Sequence, residues 1–234
     1  CSETDQVQES DEMLITFDMQ HPALARATTS AFEKQDQIGV YMTGHGIPLE
    51  VAGNFLNNEL LTFDGTKWNP ARKLYWDEGS FDVFAYYPYI PSLTGVDDLP
   101  FSVALDQSAT STDSGLDGYE ASDFLWATDQ NVTASDSPVS LSFKHRMSKM
   151  VVRLMKGKDY DGDIPEDAEV YIHNTVPSAT IDLSVGIVTR NTHGTAQTIK
   201  AKKVDKTQYT AIVVPQRLTN QVPLVEVVMK GVSY

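Results

Sequence analysis

The 234-residue chain reads as an all-β protein with two β-sandwich domains in tandem. About eleven short runs alternate apolar and polar residues with period two, and Gly, Pro, Asn and Asp punctuate the gaps between them. No stretch carries the 3.6-residue period of an amphipathic helix. The third observation is a slip of phase. In VSLSFKHRMSKMVVRL, Val139, Leu141, Phe143, His145 and Met147 share one face, after which Met150, Val152 and Leu154 take over the apolar role. A one-residue slip turns the buried set over, as at a bulge or where a strand leaves one sheet for another. This stretch is expected to be the last strand of one domain running into the first strand of the next. The expected limits are 1–12 for a tether, 13–147 for the first sandwich and 148–234 for the second.

Residues 1–12, CSETDQVQESDE, are polar and acidic and lack apolar periodicity. MLITFDM then alternates, with Met13, Ile15, Phe17 and Met19 on one face, and His21-Pro22 stops the strand because proline has no N–H to donate. Leu24 to Ala27 is a small-residue linker carrying one base, Arg26. Ile38, Val40 and Met42 mark a second strand. Asp64-Gly65 is a hairpin signal between Leu61/Phe63 and Trp68. Leu74-Tyr75-Trp76 precedes the aromatic-rich run Phe81 to Tyr89, expected at the centre of the first core and ended by Pro88 and Pro91. Residues 92–138, rich in Ser, Thr, Asp and Gly, read as a long surface connection with apolar islands at 99–105 and 124–126. Beyond the phase slip, strands are expected at Val170–His173, Ala179–Val188, Gln208–Val214 and Leu224–Met229.

Composition excludes several functions. The net charge of −14 and pI near 4.6 oppose binding to nucleic acid, and also docking of the protein surface on anionic lipid. No apolar run approaches the roughly 20 residues of a membrane-spanning helix. The one cysteine is Cys1, which excludes internal disulfides and cysteine-based zinc sites. A chain starting at its only cysteine, with a polar leader behind it, reads as a lipoprotein whose signal peptide was cut before Cys1 and whose thiol carries lipid, the one attachment to membrane.

Nothing in the sequence assembles a catalytic site, and none is expected. Asp159, Asp161 and Asp163 alternate as in calcium loops, but glycine stands at the fourth position rather than the sixth and Val170 occupies the twelfth, so a solvated turn is expected and no metal. The five histidines do not pair at ligand spacing, and no Gly-x-Ser-x-Gly elbow is present. No cofactor motif appears. One alternative function is a surface glycan-binding lipoprotein in which Trp68, Trp76, Tyr86 and Tyr89 stack on sugar; it requires at least two of these rings coplanar and open to solvent.

Several segments, in order, resemble the fimbrillin (FimA/Mfa-like) lipoproteins of Bacteroidales. They are Cys1 with its tether, MLITFDM, Arg26-Ala27 ahead of FEKQDQIGVYM, WNPARKLYW, FDVFAYYPY, LSFKHRMSKMVVRL, ATIDLSVGIVT and AIVVPQ. The resemblance covers nearly the whole chain. It implies two transthyretin-like β-sandwiches, export as an outer-membrane lipoprotein and assembly with other pilin subunits, of the same or another kind, into an adhesive surface pilus. It also implies that an Arg-specific protease cuts between Arg26 and Ala27, that the strand bearing Met13, Ile15, Phe17 and Met19 leaves, and that a neighbour's strand fills the groove.

Overall fold

The computed structural model describes residues 12–22 and 31–234. In chain order the strands are β1 (Phe17–Gln20), β2 (Gln37–Gly44), β3 (Leu56–Phe63), β4 (Trp68–Pro70), β5 (Ser80–Tyr87), β6 (Leu99–Ser102), β7 (Leu125–Thr133), β8 (Val139–Ser142) and β9 (Lys144–His145). They continue with β10 (Ser148–Arg153), β11 (Glu169–Thr175), β12 (Ser178–Asp182), β13 (Ile187–Arg190), β14 (Gln197–Lys200), β15 (Lys202–Lys203), β16 (Gln208–Val213), β17 (Val225–Met229) and β18 (Val232–Ser233). One 3-10 turn, Glu120–Ser122, is the only helical element among the described residues. The all-β class is as the alternation predicts.

The strands fall into two compact units. Residues up to 85 pack with Ala127–Phe143, and Tyr86–Trp126 pack with Lys144–Tyr234. The chain therefore enters the second unit twice. Residues 92–138 are not the surface connection that their polar composition suggests. They hold β6 and the nine-residue β7, and Phe124, Leu125 and Val103 are almost fully buried. The few apolar residues of this stretch sit where strands need them, and polar residues fill the loops between.

In the first unit the main sheet runs β4-β3-β2-β5-β7. β5 is flanked by β2 and β7, and every residue from Phe81 to Tyr87 is buried. The expected central position holds, but both faces are covered rather than one. β2 is likewise buried from Ile38 to Thr43. β3 carries one extra residue between the Met42–Leu56 and Val40–Glu59 pairs, and Asn58 absorbs it at φ +44. Asparagine tolerates this left-handed geometry better than most residues. The β3–β4 hairpin turns over residues 64–67, with the Asp64 N–H donating to the Lys67 carbonyl and Gly65 at φ +99. Asp82 is the buried charge of this unit among the described residues. Its carboxylate lies 2.8 Å from His45 Nδ1 and accepts the backbone N–H groups of Gly46 and Asn131 at 2.9 Å each. Burial pushes this carboxyl up, but the three hydrogen bonds outweigh it and hold it below the usual aspartate value.

The second unit contains the sheets β6-β12-β13, β10-β16-β15 and β14-β11-β17-β18. Its core gathers Leu99, Phe124, Val170, Ile172, Ile181, Ile199, Tyr209 and Val214, all at most 2% exposed. The phase slip appears as read: Val139, Leu141, Phe143 and Met147 are buried with His145 partly so, and then Met150, Val152 and Leu154 become the more covered set. The single strand expected over 179–188 is instead the hairpin β12–β13. Asp182 caps the turn, accepting the Ser184 N–H and hydroxyl, while the Gly186 N–H donates to the Asp182 carbonyl. Val185 lies at the tip, half exposed. Gly186 sits at φ +69, and an added Cβ would lie 2.5 Å from the Trp126 ring. Gly186→Ala is expected to cost about 2–4 kcal/mol, from left-handed strain plus overpacking. Gly162→Ala, at φ +90 but in open space, should cost only the strain of about 1–2 kcal/mol. Urea unfolding of the two variants checks the difference.

Candidate functional site: the leading strand of the first unit

The leading strand is held along both of its edges, by different partners at its two ends. Near its start, the Ile15 N–H donates to the Leu74 carbonyl at 2.8 Å and the Trp76 N–H donates to the Met13 carbonyl at 2.9 Å. Leu14 and Tyr75 form the antiparallel bridge between those bonds. Further on, β1 pairs in parallel with β8, from Phe17–Val139 to Gln20–Ser142. The Val139 N–H reaches the Thr16 carbonyl and the Phe143 N–H the Gln20 carbonyl. Alternation puts Ile15, Phe17 and Met19 into the core at 3%, 7% and 6% exposure. Met13, expected on the same buried face, is 43% exposed. It lies beyond the last core-facing position, so the buried face consists of three side chains.

Aromatic rings collect at the far end of this strand. Phe32 meets His21, Trp68 and Phe143 edge-on at centroid distances of 4.9, 4.9 and 5.4 Å. Edge-to-face contacts of this kind add about 0.5–1.5 kcal/mol each beyond burial. A groove of about 440 Å³ beside the strand is lined by Leu14, Phe17, Lys67, Trp68, Lys73 and Leu74 among others. Lys67 belongs to the β3–β4 turn. There the backbone N–H of Lys67, the amide of Asn69 and the backbone N–H of Thr66 hold the Asp64 carboxyl down at about 2. A carboxyl lowered on folding stabilises the fold above its unfolded value near 3.8, and that contribution vanishes as pH falls through about 2. Asp64→Asn is therefore expected to lower the thermal midpoint at pH 7, with the difference from the parent closing between pH 4 and pH 2. A pH series of melting curves checks this.

Cys1, Arg26 and Ala27 lie outside the described residues. Trp68 and Tyr86 are 7% and 1% exposed, and the Trp76 indole N–H is bound to the Ser135 carbonyl at 3.1 Å. Two of the four rings suggested for sugar stacking are thus core residues, as β-strand alternation in a two-sided sheet requires. His145 lies 2.9 Å from Asp123, and Asp159, Asp161 and Asp163 are exposed. Among the described residues, no group of three His, Cys, Asp or Glu is placed to hold a metal ion, and no helix is long and apolar enough to cross a membrane. The pairing of residues 13–15 with 74–76 was not read from the sequence. LYW beside MLI carried the signal, but nothing in either segment specifies its partner.

A family model described as fimbrillin-like matches residues 25–234. A relative from Bacteroides ovatus, named as a candidate fimbrium tip subunit, Fim1C, is 31% identical over 133 residues. That match takes in 53% of this chain and 24% of the relative, so the chain spans about a quarter of the relative's length. Two solved structures of candidate cell-adhesion proteins share the fold. One, from Bacteroides uniformis, has a TM-score of 0.66 at 20% identity over 92% of this chain and 78% of that one. The other, from B. ovatus, has a TM-score of 0.67 at 20% identity over 95% and 84%. A fimbrial protein from B. ovatus aligns with a TM-score of 0.57 at 17% identity over 96% of this chain and 46% of its own. This chain belongs to the fimbrillin-like family, whose members are structural and adhesion proteins rather than enzymes.

Proposed function

We propose that this chain is a structural subunit of a cell-surface fimbrium, assembled by exchange of its leading strand. Export as a lipoprotein through Cys1 would bring it to the outer membrane. An Arg-specific protease would cut between Arg26 and Ala27, and the strand with Ile15, Phe17 and Met19 would leave. A strand from another subunit, identical or not, would then occupy the slot between residues 74–76 and β8. In this reading the two compact units correspond to tandem transthyretin-like sandwiches.

The observation that carries the proposal is the two-edged seating of residues 13–20. Removing them uncovers apolar core and frees backbone groups of residues 74–76 and β8. Such an edge is a template for strand addition. Until the cut, the subunit's own strand blocks the slot.

Limited digestion with an Arg-specific protease tests it. One dominant cut after Arg26 is expected, followed by concentration-dependent oligomers. Arg72 and Arg217 are exposed and lie outside the strands, so Arg72→Lys and Arg217→Lys remove competing sites. Resistance of Arg26 while other arginines are cut, or a trimmed protein that stays monomeric, would overturn the proposal.

A further inference from the structure

A second open edge lies in the other unit. β10 pairs with β16 through six positions and has no neighbour on its other side among the described strands. The ladder shows which groups are free. Both backbone groups of Ile212, the partner of Lys149, are taken by the Gln107 side chain and so point away from β10. The Leu154 N–H donates to the Thr207 carbonyl. By alternation, residues 150, 152 and 154 bond to β16, while the N–H and C=O groups of Lys149, Val151 and Arg153 point to the open edge.

The side chains along this edge are unusually apolar for a border strand. MVVRLM, residues 150–155, has one charge. Val151 is 51% exposed and Met155 83%, and Met150, Val152 and Leu154 are only half buried. One strand inward the exposure collapses: Tyr209, Thr210 and Ala211 of β16 are at most 4% exposed. The sheet stops before its hydrophobic surface does. Lys149 and Arg153 flank Val151 and leave the border positive in a chain of net charge −14. That charge disfavours pairing of β10 with itself in the register that sets Lys149 against Arg153, and it favours a strand bearing carboxylates.

We propose that this edge receives the leading segment of a second copy of the chain, residues 12–18 running antiparallel to β10. The inference rests on the release of that segment proposed above. The match is in the residues. With Phe17 opposite Met150, Ile15 falls opposite Val152 and Met13 opposite Leu154, an apolar set on the inward face. On the outward face Asp18 meets Lys149 and Thr16 meets Val151. The phase is the one the segment already uses in its own unit, where Ile15 and Phe17 face inward and Asp18 outward. The cut strand would thus be kept by the assembly, closing an edge that would otherwise invite unspecific pairing.

The test uses the intact chain, whose own leading strand still fills its slot, and a fluorescent synthetic peptide of residues 12–20, followed by anisotropy. Saturable binding to the uncut protein is expected, and a scrambled peptide should not bind. Val151→Pro removes an N–H that points to the open edge and spares the bonds to β16; it should weaken binding about tenfold. Lys149→Glu should weaken it up to about fivefold, with recovery on the Asp18→Lys peptide. An unchanged circular dichroism melt shows that each variant is folded. Absence of binding to the uncut chain, equal binding of the scrambled peptide, or indifference to Val151→Pro would each overturn the inference. Binding only to protein already stripped of residues 13–20 would also overturn it, while supporting strand exchange in the first unit.

Discussion

A chain that begins at residue 27 is expected to be less stable than the full chain by about 5–9 kcal/mol. The estimate follows from the three side chains that leave with the leading strand, each worth about 1.5–3 kcal/mol when buried. Ile15, Phe17 and Met19 are all at least nine-tenths buried, and exposed Met13 adds little. Net stabilities of natural domains are about 5–15 kcal/mol, so the shortened first unit should stand close to its unfolding midpoint. A peptide of residues 12–22 supplied in trans should recover the loss, rising with the logarithm of peptide concentration. Urea titration of both chains, with and without peptide, measures the effect. An unchanged midpoint on truncation would show that the strand is decoration rather than part of the core.

Gln107→Leu is expected to cost about 2–5 kcal/mol, a large loss for a residue outside any strand. Gln107 is fully buried. Its side-chain amide donates to the Ile212 carbonyl at 2.7 Å and to the Ala104 carbonyl at 3.2 Å, and its carbonyl accepts the Ile212 N–H at 2.7 Å. It takes the place of a missing strand: β15 pairs with β16 only at Tyr209 and Thr210 and leaves Ile212 unpartnered on that side. Leucine matches the volume but strands two buried backbone groups, each costing about 1–3 kcal/mol. Gln107→Glu would bury a carboxylate against the Ala104 and Ile212 carbonyls, so it should cost at least as much as leucine at pH 7 and less at pH 4, where a protonated carboxyl can donate to a carbonyl again. Chemical denaturation read by the intrinsic fluorescence of Trp126, a residue of the same unit, ranks the three proteins.

What the sequence revealed and what it hid divide along the range of the interactions. Alternation at 13–19, 38–42, 81–87 and 139–147 located strands because a half-buried strand writes its period locally. The Asp64-Gly65 turn was legible for the same reason. β7 was not: beyond Leu125-Trp126-Ala127 it continues as Thr-Asp-Gln-Asn-Val-Thr, largely exposed, and it is a strand because β5 beside it offers hydrogen bonds. The turn inside 179–188 was hidden because Leu183 and Val185 kept the period through it; Asp182 and the close Trp126 ring decide that geometry. Met13 looked like a core residue because period alone cannot say where the core ends. The site itself was half visible. The strand MLITFDM announced itself, but its partners at 74–76 and 139–142 are set by long-range packing.

That pairing has a kinetic consequence. Gln20 and Ser142 touch although 122 residues separate them, so the contact order of the first unit is set largely by its opening segment. Loops of this length close slowly, and parallel ladders between remote segments are among the late events of folding. During synthesis the segment is made before β8 and seats after it. A nascent chain therefore passes through an interval in which the position beside β8 is nearly formed and still empty, open to any strand that arrives before its own.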